Sequence, residues 1–264
     1  MTNRLLVVVA ALSATATLVA QGQGAGGARP PARPAAPIDL TGNWVSIVTE
    51  DWRFRMVTPP KGDFASVPLN AEGRRLVDAW DPAKDEAAGE QCRSYSAAAI
   101  MRVPTRLRVS WQDDNTLKIE TDAGTQTRLL HFGQAQPPAA MSWQGYSVAS
   151  WEYAGARGGG GGGGGGRGGG APPPAPPAPA GGSLKVTTDH LKAGYLRKNG
   201  VPYSEGTVVT EYFDRFSEPN GDDWFVVTTT VDDAKYLAQP FITSTHFKKD
   251  PDPSKWNPTP CKSR

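Results

Sequence analysis

Apolar and polar residues alternate with a period of two along several stretches of the chain. Over residues 106–111, Leu107, Val109 and Trp111 stand against Arg106, Arg108 and Ser110, the pattern of a half-buried strand. After the polar turn Asp113-Asp114-Asn115, residues 116–121 resume the alternation with Leu117 and Ile119 on one face. Asp122-Ala123-Gly124 then reads as a three-residue hairpin loop with Gly124 in the left-handed position. That register pairs Thr121 with Thr125, Ile119 with Thr127 and Leu117 with Leu129. Further on, Glu218-Pro219-Asn220-Gly221-Asp222 suits a type I turn with Gly221 left-handed. Its register sets Phe216 opposite Trp224, Tyr212 opposite Thr228 and Thr210 opposite Thr230. Additional strands are predicted at 43–49, 51–57, 148–153, 184–188 and 241–248, about ten in all.

One helix is predicted, with Asn70 as its N-cap, Leu76, Val77 and Trp80 on one apolar face, and Asp81-Pro82 as its stop. Gly73 weakens it, and a second short turn is expected over 96–101, before Pro104. Many antiparallel strands with few helices predict a mainly all-β fold, a closed barrel or a sandwich.

The segment Leu40-Thr41-Gly42-Asn43-Trp44 resembles the G-x-W start of lipocalin-type barrels. The resemblance implies an antiparallel barrel of about 8–10 strands in which Gly42 and Trp44 are structural and Trp44 plugs the closed end under the first strand. The phrases Trp143-Gln144-Gly145-Tyr146, Gly194-Tyr195-Leu196-Arg197-Lys198-Asn199-Gly200-Val201-Pro202-Tyr203 and Pro240-Phe241-Ile242-Thr243-Ser244-Thr245-His246-Phe247 are similar to those of an uncharacterised group of exported bacterial proteins. That similarity covers most of the folding region and brings no activity with it. The chain departs from lipocalins in the long segment between its second and third strands and in a central insert.

Composition adds the context. Residues 1–20 place Arg4 ahead of an apolar run and read as a secretory signal peptide, whose removal leaves no membrane span and puts the protein in the periplasm or outside the cell. Residues 21–37, mostly Gly, Ala, Pro, Gln and Arg, read as a disordered tether. A single barrel domain is expected over 38–260, interrupted at 157–182 by a disordered Gly/Pro insert. Its formal G-x-G-x-x-G matches carry no dinucleotide chemistry, since no helix can start there. With 28 basic and 26 acidic residues the net charge is +2, which excludes a nucleic-acid footprint. Cys92 and Cys261 are the two cysteines. An oxidising compartment predicts a disulfide between them, against the alternative of two buried thiols.

Candidate chemistry is sparse. His131, His190 and His246 lack H-x-H or H-E-x-x-H spacing, so neither metal nor cofactor is implied. No G-x-S-x-G elbow occurs. Glu211 with Asp214, or Asp232 with Asp233, could supply carboxylates, although neighbours on a strand point to opposite faces. Arg53, Arg55, Arg106, Arg108 and Arg128 fall on predicted strands; they could converge on an anionic ligand, but read first as outward residues or as partners of Glu50, Asp51 and Glu120. Thr210, Tyr212, Thr228, Thr230, Ser244 and His246 share one uncharged polar face. Should the adjoining face of Val209, Phe213, Val227, Val231 and Phe247 be core, those six meet solvent; with the faces inverted they line a polar cavity and become the ligand-binding residues. The leading expectation is an exported binding protein that takes a small amphipathic ligand in its barrel. The alternatives are an envelope assembly partner that docks through strand edges or the insert and, last, an enzyme using His246 with Glu211.

Overall fold

Extended segments with one dry face and one wet face are satisfied together when the sheet closes on itself, because closure buries the dry faces and leaves no unpaired edge. The computed structural model describes residues 30–133, 136–154 and 181–264; the expected signal peptide and residues 157–180 of the insert lie outside the described residues. In chain order the strands are β1 (Gly42–Ile47), β2 (Arg106–Asp113), β3 (Thr116–Thr121), β4 (Gln126–Phe132), β5 (Tyr146–Tyr153), β6 (Gly182–Asp189), β7 (Gly194–Arg197), β8 (Val201–Tyr203), β9 (Val208–Ser217), β10 (Asp223–Asp232) and β11 (Phe241–Lys249). Nine of them form a closed barrel in the order β1-β11-β10-β9-β6-β5-β4-β3-β2, while β7 and β8 make a separate hairpin. The barrel expected from the alternation is therefore present. Its joints are antiparallel except that between β4 and β5, which is parallel and pairs only Leu130 with Ser147, His131 with Val148 and Phe132 with Ala149. The insert joins β5 to β6, whose ends meet where the Ala154 amide donates to the Gly181 carbonyl at 3.1 Å.

At the end where β1 begins, the interior is filled by aromatic rings. Trp44 is fully buried, donates its indole N–H to the Leu40 carbonyl at 2.9 Å and meets Phe225 edge-on at 4.6 Å. Phe225 in turn stacks on Phe247 at 4.9 Å. Residues 31–37, read as part of the tether, are bound over this end instead. The Ala32 amide donates to Asn115 Oδ1, while Trp151 and Tyr153 donate to the carbonyls of Ala32 and Ala35, each at 2.9 Å. Low hydrophobicity did not preclude order here, because the strand ends supply the missing partners.

The opposite end carries a lid. Its pieces are α1 (Trp52–Arg55), α2 (Ala71–Ala79), α3 (Pro82–Ala87), the 3₁₀ turns Gln91–Tyr95 and Ile100–Arg102, and the β7–β8 hairpin. A second core beneath it unites Val77, Leu196, Val201 and Tyr203 with Val209, Val231 and Phe241 of the barrel. Asn70 caps α2 as expected, accepting from the Gly73 amide at 3.0 Å. Residues 51–57 form α1 and flanking turns, not the strand that their alternation suggested. The C-terminal segment runs back along the outside, where Trp256 lies under Arg108 at 4.2 Å. It ends at a Cys92–Cys261 disulfide whose Cα atoms are 5.1 Å apart across 169 positions of sequence, tying the tail to the lid.

The hairpin of β9 and β10 has the register read from sequence, with Phe216 opposite Trp224 and Tyr212 opposite Thr228. The β3–β4 hairpin is displaced by one residue: Thr121 pairs with Gln126, Ile119 with Arg128 and Leu117 with Leu130. Thr125 adopts φ 48° after Gly124 at 74°, so the loop has four residues and not three. Gly124 is required there, since a Cβ would lie 2.3 Å from the Tyr95 ring. A slip of one residue exchanges the faces of a strand, and Arg128, expected to point outward, is buried inside the barrel.

There Arg128 meets Glu211 of β9 in a two-pronged pair at 3.2 and 2.6 Å, both side chains wholly excluded from solvent. Arg128 Nη2 also donates to Thr188 Oγ1 at 3.3 Å, and Thr188 is bonded to Ser147 at 2.7 Å. This polar band crosses β4, β5, β6 and β9, bridging the parallel joint. Removing one member leaves a buried charge unpaired, whereas replacing both with apolar groups does not. Glu211→Gln is expected to cost about 3–5 kcal/mol in urea denaturation, and the Arg128→Met/Glu211→Leu pair to stay near or above wild type. An unaffected Glu211→Gln would contradict the assignment.

Candidate functional site

The structure separates the residues that the sequence offered for chemistry. Thr210, Tyr212, Thr228, Thr230, Ser244 and His246 are half-buried on the outward face, while Val209, Phe213, Val227, Val231 and Phe247 fill the interior at 0–1% exposure. Of the two assignments, the structure has the one that turns those six residues outward. His246 bonds Glu50 at 3.1 Å, on the face opposite Glu211, so that pair is not assembled. Asp214 faces outward and bonds Ser183. Asp232 is exposed, whereas buried Asp233 is a turn organiser that accepts from Ser204 Oγ at 2.9 Å and Thr207 Oγ1 at 3.0 Å. His131 stacks on Tyr146 at 5.2 Å, and His190 bonds Asp189 at 2.7 Å. Among the described residues no three His, Cys, Asp or Glu side chains are grouped to hold a metal.

The barrel centre holds rings and the Arg128–Glu211 band, and two cavities lie at its ends. One, of about 370 Å³, sits where residues 33–41 cross Trp111, Leu117 and Trp151. Trp111, Phe132 and Trp151 form an aromatic trio there, with centroids 5.1–6.4 Å apart. The other, of about 350 Å³, lies in the lid between α2, α3 and the β7–β8 hairpin, with Trp80, Tyr195, Pro202, Tyr203 and Tyr236 on its walls.

The lid pocket is built from local rules. Trp80 ends α2 with ψ 136°, which breaks the helix ahead of Pro82. Asp81 then caps α3 by accepting from the Ala83 amide at 3.1 Å, so the expected stop is also a start. Gly200 turns the hairpin at φ 80°, and any Cβ there would lie 2.1 Å from Trp80. Leu76, expected to be core, instead lines the rim and is 40% exposed. On the opposite wall Asp85, Arg93 and Tyr195 form a closed triangle. Arg93 Nη1 donates to Asp85 Oδ1 at 2.8 Å and to the Tyr195 hydroxyl at 3.0 Å, and that hydroxyl donates to Asp85 Oδ2 at 3.0 Å. A wall of rings beside a few fixed polar groups is the make-up of a small-molecule pocket, and its volume lies in the usual range.

Burial pushes the Tyr195 phenol up to about 12, outweighing the opposing bond and charge of Arg93 and aided by the Asp85 carboxylate. Burial likewise raises Tyr203. In the sequence, Gly194 to Tyr203 stands out only by its resemblance to exported bacterial proteins. What the sequence lacked was any periodic sign that Asp85 and Arg93, on separate short turns, reach the hairpin.

Compared with known protein families, curated proteins and solved structures, the chain gives no match. The functional reading accordingly stands on the site itself.

A phenol held protonated in the fold contributes stability that is whole below pH 10 and is lost as pH rises through about 12, because the unfolded chain gives up its proton first. Tyr195→Phe should therefore lose stability less steeply than wild type between pH 10 and 12 when urea midpoints are compared. Identical slopes would show that Tyr195 is not so shifted.

Proposed function

We propose that the protein is an exported binding protein for a small amphipathic molecule, and that the lid pocket is where that molecule binds. The observation that carries this reading is the pairing of a filled barrel centre with an aromatic pocket of about 350 Å³ outside it, whose polar wall is pre-set by Asp85, Arg93 and Tyr195. Rigid rings and side chains already bonded to one another lose little entropy on binding. None of the six outward polar residues of β9, β10 and β11 lines this pocket.

Export is supported by the disulfide, a bond that persists in oxidising compartments. Among the described residues no helix is long and apolar enough to cross a membrane. The closed barrel offers no strand edge for docking, so the assembly reading rests on the β7–β8 hairpin or the insert.

Fluorescence titration with the uncharged probe N-phenyl-1-naphthylamine tests the assignment. Ala193 is exposed at the pocket wall, so Ala193→Trp fills the space without touching the core. The variant should bind the probe at least about tenfold more weakly, a loss of about 1.4 kcal/mol, with an unchanged urea midpoint. Equal binding by the two proteins, or none by wild type, would refute the pocket.

A further inference from the structure

Three arginines line a third, smaller cavity under α1. Arg55 of α1, Arg102 of the following 3₁₀ turn and Arg197 at the end of β7 line a space of about 30 Å³ together with Phe54, Val57 and Lys198. All three are buried, at 7%, 7% and 4% exposure. The strand β7 is irregular between Tyr195 and Arg197, and such a bulge re-aims the side chain that follows it.

The charges around this space do not balance. Arg55 pairs with Glu50 and donates from Nε to the Arg102 carbonyl at 2.9 Å. Arg102 pairs with Asp51 at 2.8 Å. The nearby carboxylate of Asp63 is held by Arg53 at 2.6 Å, and Glu50 is shared with His246. Arg197 has no hydrogen-bonded ion pair of its own among the described residues; Asp51 and Asp63 act on it only through their charge. Its Nε, Nη1 and Nη2 are all sealed from solvent without a hydrogen bond among the described residues, as are Nη2 of Arg55 and Nη1 of Arg102. Its guanidinium lies only over the Phe54 ring, at 4.0 Å. Counting Arg53 and Asp63, whose charges also reach Arg197, four guanidinium groups face three carboxylates, those of Glu50, Asp51 and Asp63.

A buried donor without an acceptor is costly, and a buried charge without a counter-charge more so. Arg197 does not escape by neutralising: burial, then the Arg102 charge, lower it only to about 10, which leaves it a cation at neutral pH. We propose that Arg55, Arg102 and Arg197 form a binding site for a single oxyanion head group, carboxylate or phosphate. Planar, forked donors match such oxygens in pairs, and a cavity of about 30 Å³, the space of about two or three waters, admits oxygens of a small oxyanion and not a whole organic molecule. Next to it Trp52, Met56 and Val57 are exposed at 66%, 59% and 63%, an apolar surface along which the tail of an amphiphile can lie. The site is distinct from the lid pocket and does not depend on it.

The test is the melting temperature of the full chain, as exported, titrated with inorganic phosphate, with decanoate and with phosphatidylglycerol vesicles, each beside Arg197→Met. A ligand that binds only the folded state raises the melting temperature with concentration. At least one probe should do so in wild type, and Arg197→Met should respond at least about tenfold more weakly. Without any anion the variant should melt no lower than wild type, since it loses an unpaired buried charge. A response to phosphate identifies a free ion, a stronger one to decanoate an amphiphile, and one to vesicles alone a lipid head group; each upholds the oxyanion site. The variant also corrects for the general stabilisation that phosphate gives any protein. Equal responses in the two proteins, or none to any probe, would overturn the proposal. Should Arg197→Met not fold, a crystal soaked in selenate decides: an anomalous peak between Arg102 and Arg197 upholds the site, and water-sized density alone overturns it.

Discussion

The pair formed by Arg128 and Glu211 inside the barrel constrains everything else. It joins β4 to β9 across β5 and β6 and so spans the parallel joint, where only three residue pairs hold the wall together. Parallel ladders are slightly weaker per residue than antiparallel ones. A two-pronged ion pair, tied to Thr188 and through it to Ser147, braces that joint from within. A ligand entering the centre would have to break a bonded charge pair sealed from solvent, or displace Trp44, Phe225 and Phe247 from contact with one another. Both are expensive, and among the described residues cavities of about 370 and 350 Å³ lie at the two ends.

The lid then acquires its role from how it is attached. A helical cap of short pieces would hold poorly by propensity alone, since isolated helices of four to nine residues are unstable in water. It is fixed instead by a second core against the barrel rim, by the disulfide to the C-terminal tail and by the buried Asn199, whose side-chain amide donates to the carbonyls of Pro60 and Asp63. Rigid attachment lets Trp80, Tyr195 and Tyr203 present fixed surfaces. The same attachment encloses the three arginines under α1.

How far the sequence discloses this depends on which residues do the work. Alternation along residues 208–232 was enough to place every partner in the β9–β10 hairpin, because Pro219 and Gly221 dictate the turn. One unmarked residue undid the β3–β4 hairpin: nothing in a threonine announces a positive φ, yet Thr125 adopts one and Arg128 turns inward. The interior ion pair was illegible for that reason alone. The outward face of Thr210 to His246 could be drawn but not oriented, since period two gives two faces without saying which is dry. Lid pocket and arginine cluster escaped for a different reason. Their members come from separated short turns, and only tertiary packing brings Asp85 to Tyr195 or Arg102 to Arg197.

Fluorine NMR of protein labelled with 5-fluorotryptophan tests most directly whether ligands meet the lid and not the barrel centre. Trp80 lines the lid pocket and Trp44 lies deep in the barrel, and the resonance of each is assigned by its Trp→Phe variant. On titration with N-phenyl-1-naphthylamine the Trp80 signal should move while that of Trp44 stays in place. Movement of Trp44 with Trp80 unchanged would contradict the account.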